Sequence, residues 1–480
     1  MQNRVLWLIA ATTTIRLLFA ASLGLGVDES YMIAAGRSLS LGYFDHPPAA
    51  WWLSWGAAHL FGSEASVVLR LPFIALFALS SWLMARLGTA VAGEQAGFWA
   101  AVLLNLSPVF GITGGSWVLP DGPLLCALLG AALCLRHATA GRGFGWWCGA
   151  GLCAGLALAA KYSAILTIGG AFLYLLSDRT QRRWLLRPEP YVAVIAAILV
   201  FSPVIVWNAT HHWASFAFQG ERAVGLRFRP LLPLTTLLGE GLFVLPWIWA
   251  PMLVLLWRGF FRPGDRLLAC LAAPPIIGFA LIAAWSSQRV LFHWAAPGYL
   301  MLFPLLGQAV AARWPAPWLR RTVFGTAGFL IVAMAVVGLQ TAFDWLGGSL
   351  TAIARKDPTI EGINWVSLRE DLTARGLLRP GTVIGVPNWR DAGKIGYALG
   401  PEVTVLCLNP DSRQFGFAAP LDRFMGQDVL VLSVTQAPVA TLFERLEPLP
   451  DSLIRHRGRV LQTVTVSIGH GLTAGSLGAR

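Results

Sequence analysis

Few residues in this chain of 480 could do chemistry, because only 12% are charged while 56% are hydrophobic. The carboxylates are the informative ones. Asp28 and Glu29 stand side by side after the first apolar run, Asp45 lies in GYFDHPP, Glu64 follows, Asp121 lies in LPDGP, and Glu221 and Glu240 surround a later loop. All fall near segment ends or in loops and none at the centre of an apolar run. That placement suits chemistry at a membrane surface better than ion coupling at the midplane. Nearby stand His46, Lys161, Arg222, Arg227, Arg229, Arg289 and His293. Cations of this kind neutralise phosphate, while a carboxylate acts as a base or holds a divalent ion, so the set fits a substrate with a phosphate headgroup and a lipid tail. Each residue also has an ordinary reading: Asp121 as a helix cap, Lys161 as a snorkelling lysine, His293 beside Trp294 as an interfacial pair.

The elements that must position these residues are membrane spans. Apolar runs of bilayer length begin at Val5–Val27 and recur at about 67 to 91, 97 to 113, 122 to 136, 144 to 160, 162 to 177, 190 to 208, 235 to 257, 267 to 285, 294 to 312 and 322 to 341. This predicts a polytopic α-helical protein of about eleven spans. The first run is too long for a signal-peptide core and is read as an uncleaved helix. Threaded alternately, the runs put Arg136, Arg142, Arg179, Arg182, Arg183, Arg187, Arg258, Arg262, Arg266, Arg313, Arg320 and Arg321 on one side, which the positive-inside rule makes cytoplasmic. The acids then lie on the other side, with the N-terminus cytoplasmic. In the first outer loop, SYMIAAGRSLSLGYF and AAWWLSWGAAHLF read as interfacial helices anchored by Trp51, Trp52 and Trp55. Pro47 and Pro48 fix an extended turn that presents Asp45 and His46.

The net charge of +12 is therefore a topology signal and not a nucleic-acid footprint. The six Cys show no metal spacing and read as small buried hydrophobes. Composition changes after the last span. Residues 1–341 form a transmembrane unit, and 342–480 are expected to form a small extracytoplasmic α/β domain, with strands at TVIGVP, VTVLCL and DVLVLSV and an amphipathic helix in WVSLREDLTARGLL. NWRDAGKIGYALG and NPDSRQFGF are candidate recognition loops at strand ends.

Three stretches in order, VDESYMIAAGRSLSLGYFDHPPAAWW, GGSWVLPDGPLL and GLCAGLALAAKYSAILTI, resemble the bacterial lipid-to-acceptor glycosyltransferases of the GT-C superfamily, in the branch of protein O-mannosyltransferases and lipid A aminoarabinose transferase. The motifs cover the first 180 or so residues, and the rest resembles the family by layout. The resemblance implies that Asp28, with Glu29 beside it, is the general base or organises the acceptor. It implies a metal site at Asp45 and Asp121, for Mg²⁺ or Mn²⁺, with His46 or His293 shifting preference toward Zn²⁺. His46 stands where relatives often carry Lys, which weakens the permanent charge at that turn. Lys161 matches a basic residue expected to contact the donor phosphate, and Arg222, Arg289, His293 and Tyr299 join it by position in outer loops and helix ends.

The expected reaction is inverting transfer of a sugar from polyprenyl (undecaprenyl) phosphate to an envelope glycolipid such as lipopolysaccharide, or another acceptor, on the periplasmic face of a bacterial inner membrane. The protein is read as a monomer that binds no nucleic acid. Three other readings stay open: a transporter or flippase of a lipid-linked sugar, a protein O-glycosyltransferase, and a non-catalytic envelope assembly protein.

Overall fold

The chain is described by a computed structural model over residues 2–223, 228–286, 290–345, 361–434 and 439–473. It divides into two compact units, one of Met1–Leu18, Ser40–Leu53 and Arg70–Val332, the other of Phe19–Leu39, Ser54–Leu69 and Ala333–Arg480. The second unit thus gathers the segments around Asp28 and Glu64 with the C-terminal part of the chain.

The helices in order are α1 (Gln2–Ser22), α2 (Val27–Ala35), α3 (Ala49–Phe61), α4 (Ser66–Ala92), α5 (Glu94–Asn105), α6 (Asp121–Thr139), α7 (Phe144–Ala160) and α8 (Ala164–Ser177). They continue with α9 (Glu189–Thr210), α10 (Ala214–Ala223), α11 (Leu232–Val244), α12 (Pro246–Phe261), α13 (Arg266–Ala283), α14 (Ala296–Leu300), α15 (Phe303–Arg313) and α16 (Pro317–Phe343). Among the described residues six of these, α1, α4, α6, α9, α13 and α16, are long and apolar enough to cross a membrane. The pair α11 and α12, bent by 119°, makes a seventh if it counts as one span. This is a multi-pass membrane protein.

About eleven spans were expected, and three of the runs are interrupted, each for a local reason. Between α11 and α12, Leu245 has φ 85° and Pro246 opens the next helix, so the run 235 to 257 bends. The run 97 to 113 stops at Asn105 and resumes as a π-helical turn, Val109–Gly114, after Pro108. The run 294 to 312 is divided into α14 and α15, each with proline in its first turn. Between α7 and α8 the backbone of Lys161 is extended, at φ −157° and ψ 132°, so 144 to 160 and 162 to 177 are two short helices, as expected.

In the first unit α6 packs on α7, α7 on α9, α5 on α15 and α8 on α13. Lipid tails are as apolar as leucine, so such helices associate by close backbone approach and not by exclusion from water. Gly151 and Gly155 on α7 show this: a Cβ at Gly151 would lie 2.2 Å from the carbonyl oxygen of Ala193 on α9, and one at Gly155 would lie 2.7 Å from that of Ala197.

The second unit carries a five-stranded sheet, order β2-β1-β3-β5-β4, from β1 (Val383–Val386), β2 (Thr404–Cys407), β3 (Val429–Ser433), β4 (Phe443–His456) and β5 (Arg459–Leu472). β1 runs parallel to β2 and β3, and β5 runs antiparallel to β3 and β4. The first three strands and α17 (Val366–Ala374) stand where sequence patterning puts them. The long β4–β5 hairpin is new. It turns at Arg457 and Gly458, both at positive φ (50° and 82°), the geometry whose twist matches the flanking strands. β4 holds Pro448 and Pro450, which hide a strand signal, yet it is an edge strand where a missing N–H is tolerated. NWRDAGKIGYALG is not a loop. It forms α18 (Trp389–Leu399), capped by the Asn388 side chain accepting from Asp391 N at 2.9 Å.

Candidate functional site

One group of titratable residues in the first unit gathers at the start of α6. Asp121 is the first residue of that helix and is 5% exposed. Lys161, on the extended link between α7 and α8, donates from Nζ to both Asp121 carboxylate oxygens, at 3.0 and 3.1 Å. The break after α7 leaves Lys161 on extended backbone beside the first residue of α6. His46 and His293 lie close enough to Asp121 to act on it electrostatically. Burial, reinforced by Lys161 and opposed by Asp121, pushes the His293 imidazole down to about 4, so it is neutral at physiological pH. Four of the residues expected from the sequence therefore come together: His46, Asp121, Lys161 and His293.

The turn before α3 is held rigidly. Tyr43 stacks on Trp51 with centroids 4.3 Å apart and planes 8° from parallel. Trp52 Nε1 donates to Ser40 O at 2.7 Å, and Gln219 Nε2 of α10 donates to Asp45 O at 2.6 Å. Phe44 packs on Phe218 of the same helix at 4.7 Å. Asp45 is 2% exposed and acts electrostatically on Tyr162, the neighbour of Lys161. The double-proline turn thus places Asp45 among the same group of residues.

The sequence named Glu240 and Tyr299 separately but not their association. Glu240 lies within α11 and is fully buried. Its Oε2 accepts from Tyr299 Oη at 2.7 Å, Trp249 Nε1 donates to Tyr299 Oη at 2.9 Å, and Glu240 Oε1 has no partner among the described residues. The expectation that acids keep to loops and helix ends fails here, and the flanking glycines in LLGEGL are the only signal of it. Tyr299, expected at the donor phosphate, has its hydroxyl engaged by this cluster.

In the second unit Asp28 and Glu29 occupy the first turn of α2. Glu29 Oε2 accepts from Gly26 N at 2.9 Å, half of a capping box, so the buried Glu29 fixes the start of the helix that carries Asp28. α2 is locked to α18. Tyr31 meets Trp389 and Phe415 edge-on at 5.1 and 5.7 Å, and its hydroxyl accepts from Gln414 N at 3.0 Å. Lys394 Nζ, buried, donates to the carbonyl oxygens of Leu25, Glu361 and Ile363 at 2.8 to 2.9 Å. Asp28 itself reaches solvent, yet the crowding of surrounding protein raises its carboxyl above the usual carboxylate range. Arg390 and Arg413 oppose that rise, and Glu29 adds to it.

Arg289 and the side chain of Arg222 lie outside the described residues. Among the described residues no group of three or more His, Cys, Asp or Glu is placed to hold a metal ion. Both Asp121 oxygens already accept from Lys161, so the donor set does not fit the divalent ion expected at Asp45 and Asp121 unless that ammonium is displaced.

The helical layout defines a class, the polytopic α-helical membrane proteins. ArnT from Cupriavidus metallidurans in the apo state aligns over 96% of this chain and 97% of its own, with a TM-score of 0.66 and 15% identity. Its form bound to undecaprenyl phosphate aligns over the same shares, with a TM-score of 0.65 and 15% identity. Residues 45–207 match the family model of dolichyl-phosphate-mannose-protein mannosyltransferases. Lipid A galacturonosyltransferase RgtD of Rhizobium johnstonii is 27% identical over 315 residues, which are 63% of this chain and 64% of that protein. The match thus spans a little under two thirds of that relative's length. The resemblance read from the three sequence motifs is borne out.

Proposed function

We propose that this protein is an inverting glycosyltransferase that moves a sugar from polyprenyl phosphate to an envelope glycolipid on the periplasmic face of a bacterial inner membrane. The observation that carries the reading is the buried Asp121–Lys161 pair with His46 and His293, which lies partly within the stretch matching the mannosyltransferase family model. The undecaprenyl phosphate bound to ArnT, which is the carrier left when such a donor gives up its sugar, and the lipid A in the name of RgtD support the same substrate classes here. On this reading the shorter apolar helices complete about eleven spans, the N-terminus is cytoplasmic and residues 342–480 are periplasmic.

The acceptor hydroxyl gives its proton to Asp28 while its oxygen attacks the anomeric carbon. The bond from that carbon to the phosphate oxygen breaks, and the electron pair leaves on polyprenyl phosphate. The raised pKa of Asp28 makes it a stronger base than an ordinary aspartate. Lys161, oriented by Asp121, stabilises the growing charge on the phosphate, with His46, Arg222 and Arg289 as further contacts. Neutral His293 can donate a hydrogen bond to the phosphate without adding charge. No step needs a metal.

The test uses purified protein, a polyprenyl-phosphate sugar and an acceptor glycolipid, comparing wild type with Asp28→Asn and scoring product and released polyprenyl phosphate. Full activity in the variant removes Asp28 as base. Absence of release with every donor removes the enzyme reading and leaves the transporter, for which the bent α11–α12 pair is the supporting feature.

A further inference from the structure

We propose that the second unit contains an acceptor site for an anionic saccharide headgroup, in a cleft of about 610 Å³ between the end of α3 and the α/β domain. The inference rests on the reading of the acceptor as a glycolipid and adds where its headgroup binds. The cleft is lined by His59 and Glu64 on one side and by Asn364, Trp365, Arg369 and Tyr397 on the other.

The lining is built for a charged sugar. Tyr397 Oη donates to Glu64 O at 2.9 Å, which fixes the phenol ring as a wall. Lys394 Nζ lies 5.6 Å from the Trp365 ring centre, so the indole is backed by a fixed cation. His59 Nδ1 donates to Trp55 O at 2.8 Å, and its ring stacks on Trp55 at 3.8 Å. Rigid aromatic walls offer area at low entropic cost, and a few fixed polar groups set orientation.

The charge balance selects an anion. Glu64 is the acid in the lining, and Arg37 holds it with two hydrogen bonds, at 3.0 and 2.8 Å. That leaves Arg369, exposed and with no carboxylate partner among the described residues, as the uncompensated charge of the cleft. A guanidinium binds phosphate or carboxylate through paired donors. Beside the cleft α3 ends in Leu60 and Phe61, 80% and 57% exposed. An apolar tip next to a cationic, aromatic cleft fits a ligand with acyl chains and an anionic sugar, which is the chemistry of a phosphorylated glycolipid.

The experiment uses the full chain in nanodiscs, with a bisphosphorylated glucosamine disaccharide lipid as acceptor and its dephosphorylated form as comparison. Arg369→Ala is expected to raise the acceptor KM about tenfold or more with kcat little changed, the loss of one charge-assisted contact. Arg369→Lys recovers part of it, and Trp365→Ala also raises KM. The dephosphorylated lipid is expected to show no difference between wild type and Arg369→Ala. Acceptor-free release of polyprenyl phosphate from the donor is expected to be the same in all forms. An unchanged acceptor KM in both alanine variants overturns the site, as does failure of the wild type to bind either lipid in calorimetry. Displacement by inorganic phosphate as strong as by glucosamine 1-phosphate overturns its saccharide part. Loss of donor release in the wild type instead overturns the enzyme reading, so the two failures are distinguishable.

Discussion

Lys161 Nζ grips both oxygens of the Asp121 carboxylate, at 3.0 and 3.1 Å, across forty residues of sequence, from the link after α7 to the first residue of α6. Both side chains are largely withdrawn from solvent, so neither charge is compensated by water.

Removing one partner should therefore cost more than removing both. Lys161→Met or Asp121→Asn alone is expected to destabilise by about 3–5 kcal/mol, and the double variant by less. Thermal melts of the four forms in detergent read this coupling. Additive losses would mean that the pair is energetically loose. Glycosyl transfer is expected to fall in all three variants, because the ammonium is then missing or misdirected.

On the proposed mechanism, the raised carboxyl of Asp28 should set the acid side of the rate profile. The base must be deprotonated, so kcat/KM should fall as pH drops through a value above that of an ordinary aspartate. Asp28→Asn is expected to lower transfer by about 10²-fold or more at every pH and to abolish that limb. A wild-type profile flat down to pH 4 would contradict the assignment.

His293 gives a stability signature of its own. Its pKa falls from 6.5 to about 4 on folding, so the unfolded chain binds the extra proton between those values. Folded stability should then drop as pH falls from about 6.5 to about 4 and level off below. The midpoint difference between pH 7.5 and pH 5 should shrink in His293→Asn. Equal differences in both forms would show that the ring is not held neutral.

Gly151 tests the packing of α7 on α9. A side chain there meets the Ala193 carbonyl at 2.2 Å, so Gly151→Leu should destabilise by about 1–3 kcal/mol or more. Gly145, on the same helix with nothing within 4 Å, is the control. Gly145→Leu should melt like the wild type.

Transfer should persist in EDTA, and added Mn²⁺ should not raise its rate, because a divalent ion at Asp121 has to displace Lys161. Loss of activity on chelation, restored by one metal, would place a ligand set that includes residues beyond this pair.

The membrane character, the carboxylates and the first three strands were legible from sequence because apolar runs and period-two alternation are local signals. Span integrity was not. Hydropathy windows register Leu245–Pro246 and Ser107–Pro108 as continuous, since composition barely changes while the backbone turns. The site was legible in its residue types at Asp28, Asp45, Asp121 and Lys161, which motifs mark. Glu240 with Tyr299 was not, because that bond joins positions 59 residues apart and no periodicity encodes it. Glu29 was legible as an acid but not as a cap, a role decided by the position of Gly26 at the helix start.

The prolines of β4 have one further consequence. The outer strand of the sheet ends in solvent with Pro448 and Pro450 where amides would otherwise stand. It is thus a poor template for a strand from another chain, which needs a continuous ladder of donors. This margin of the domain is thereby insulated from strand-swapping. Whatever assembles with it there must read its side chains.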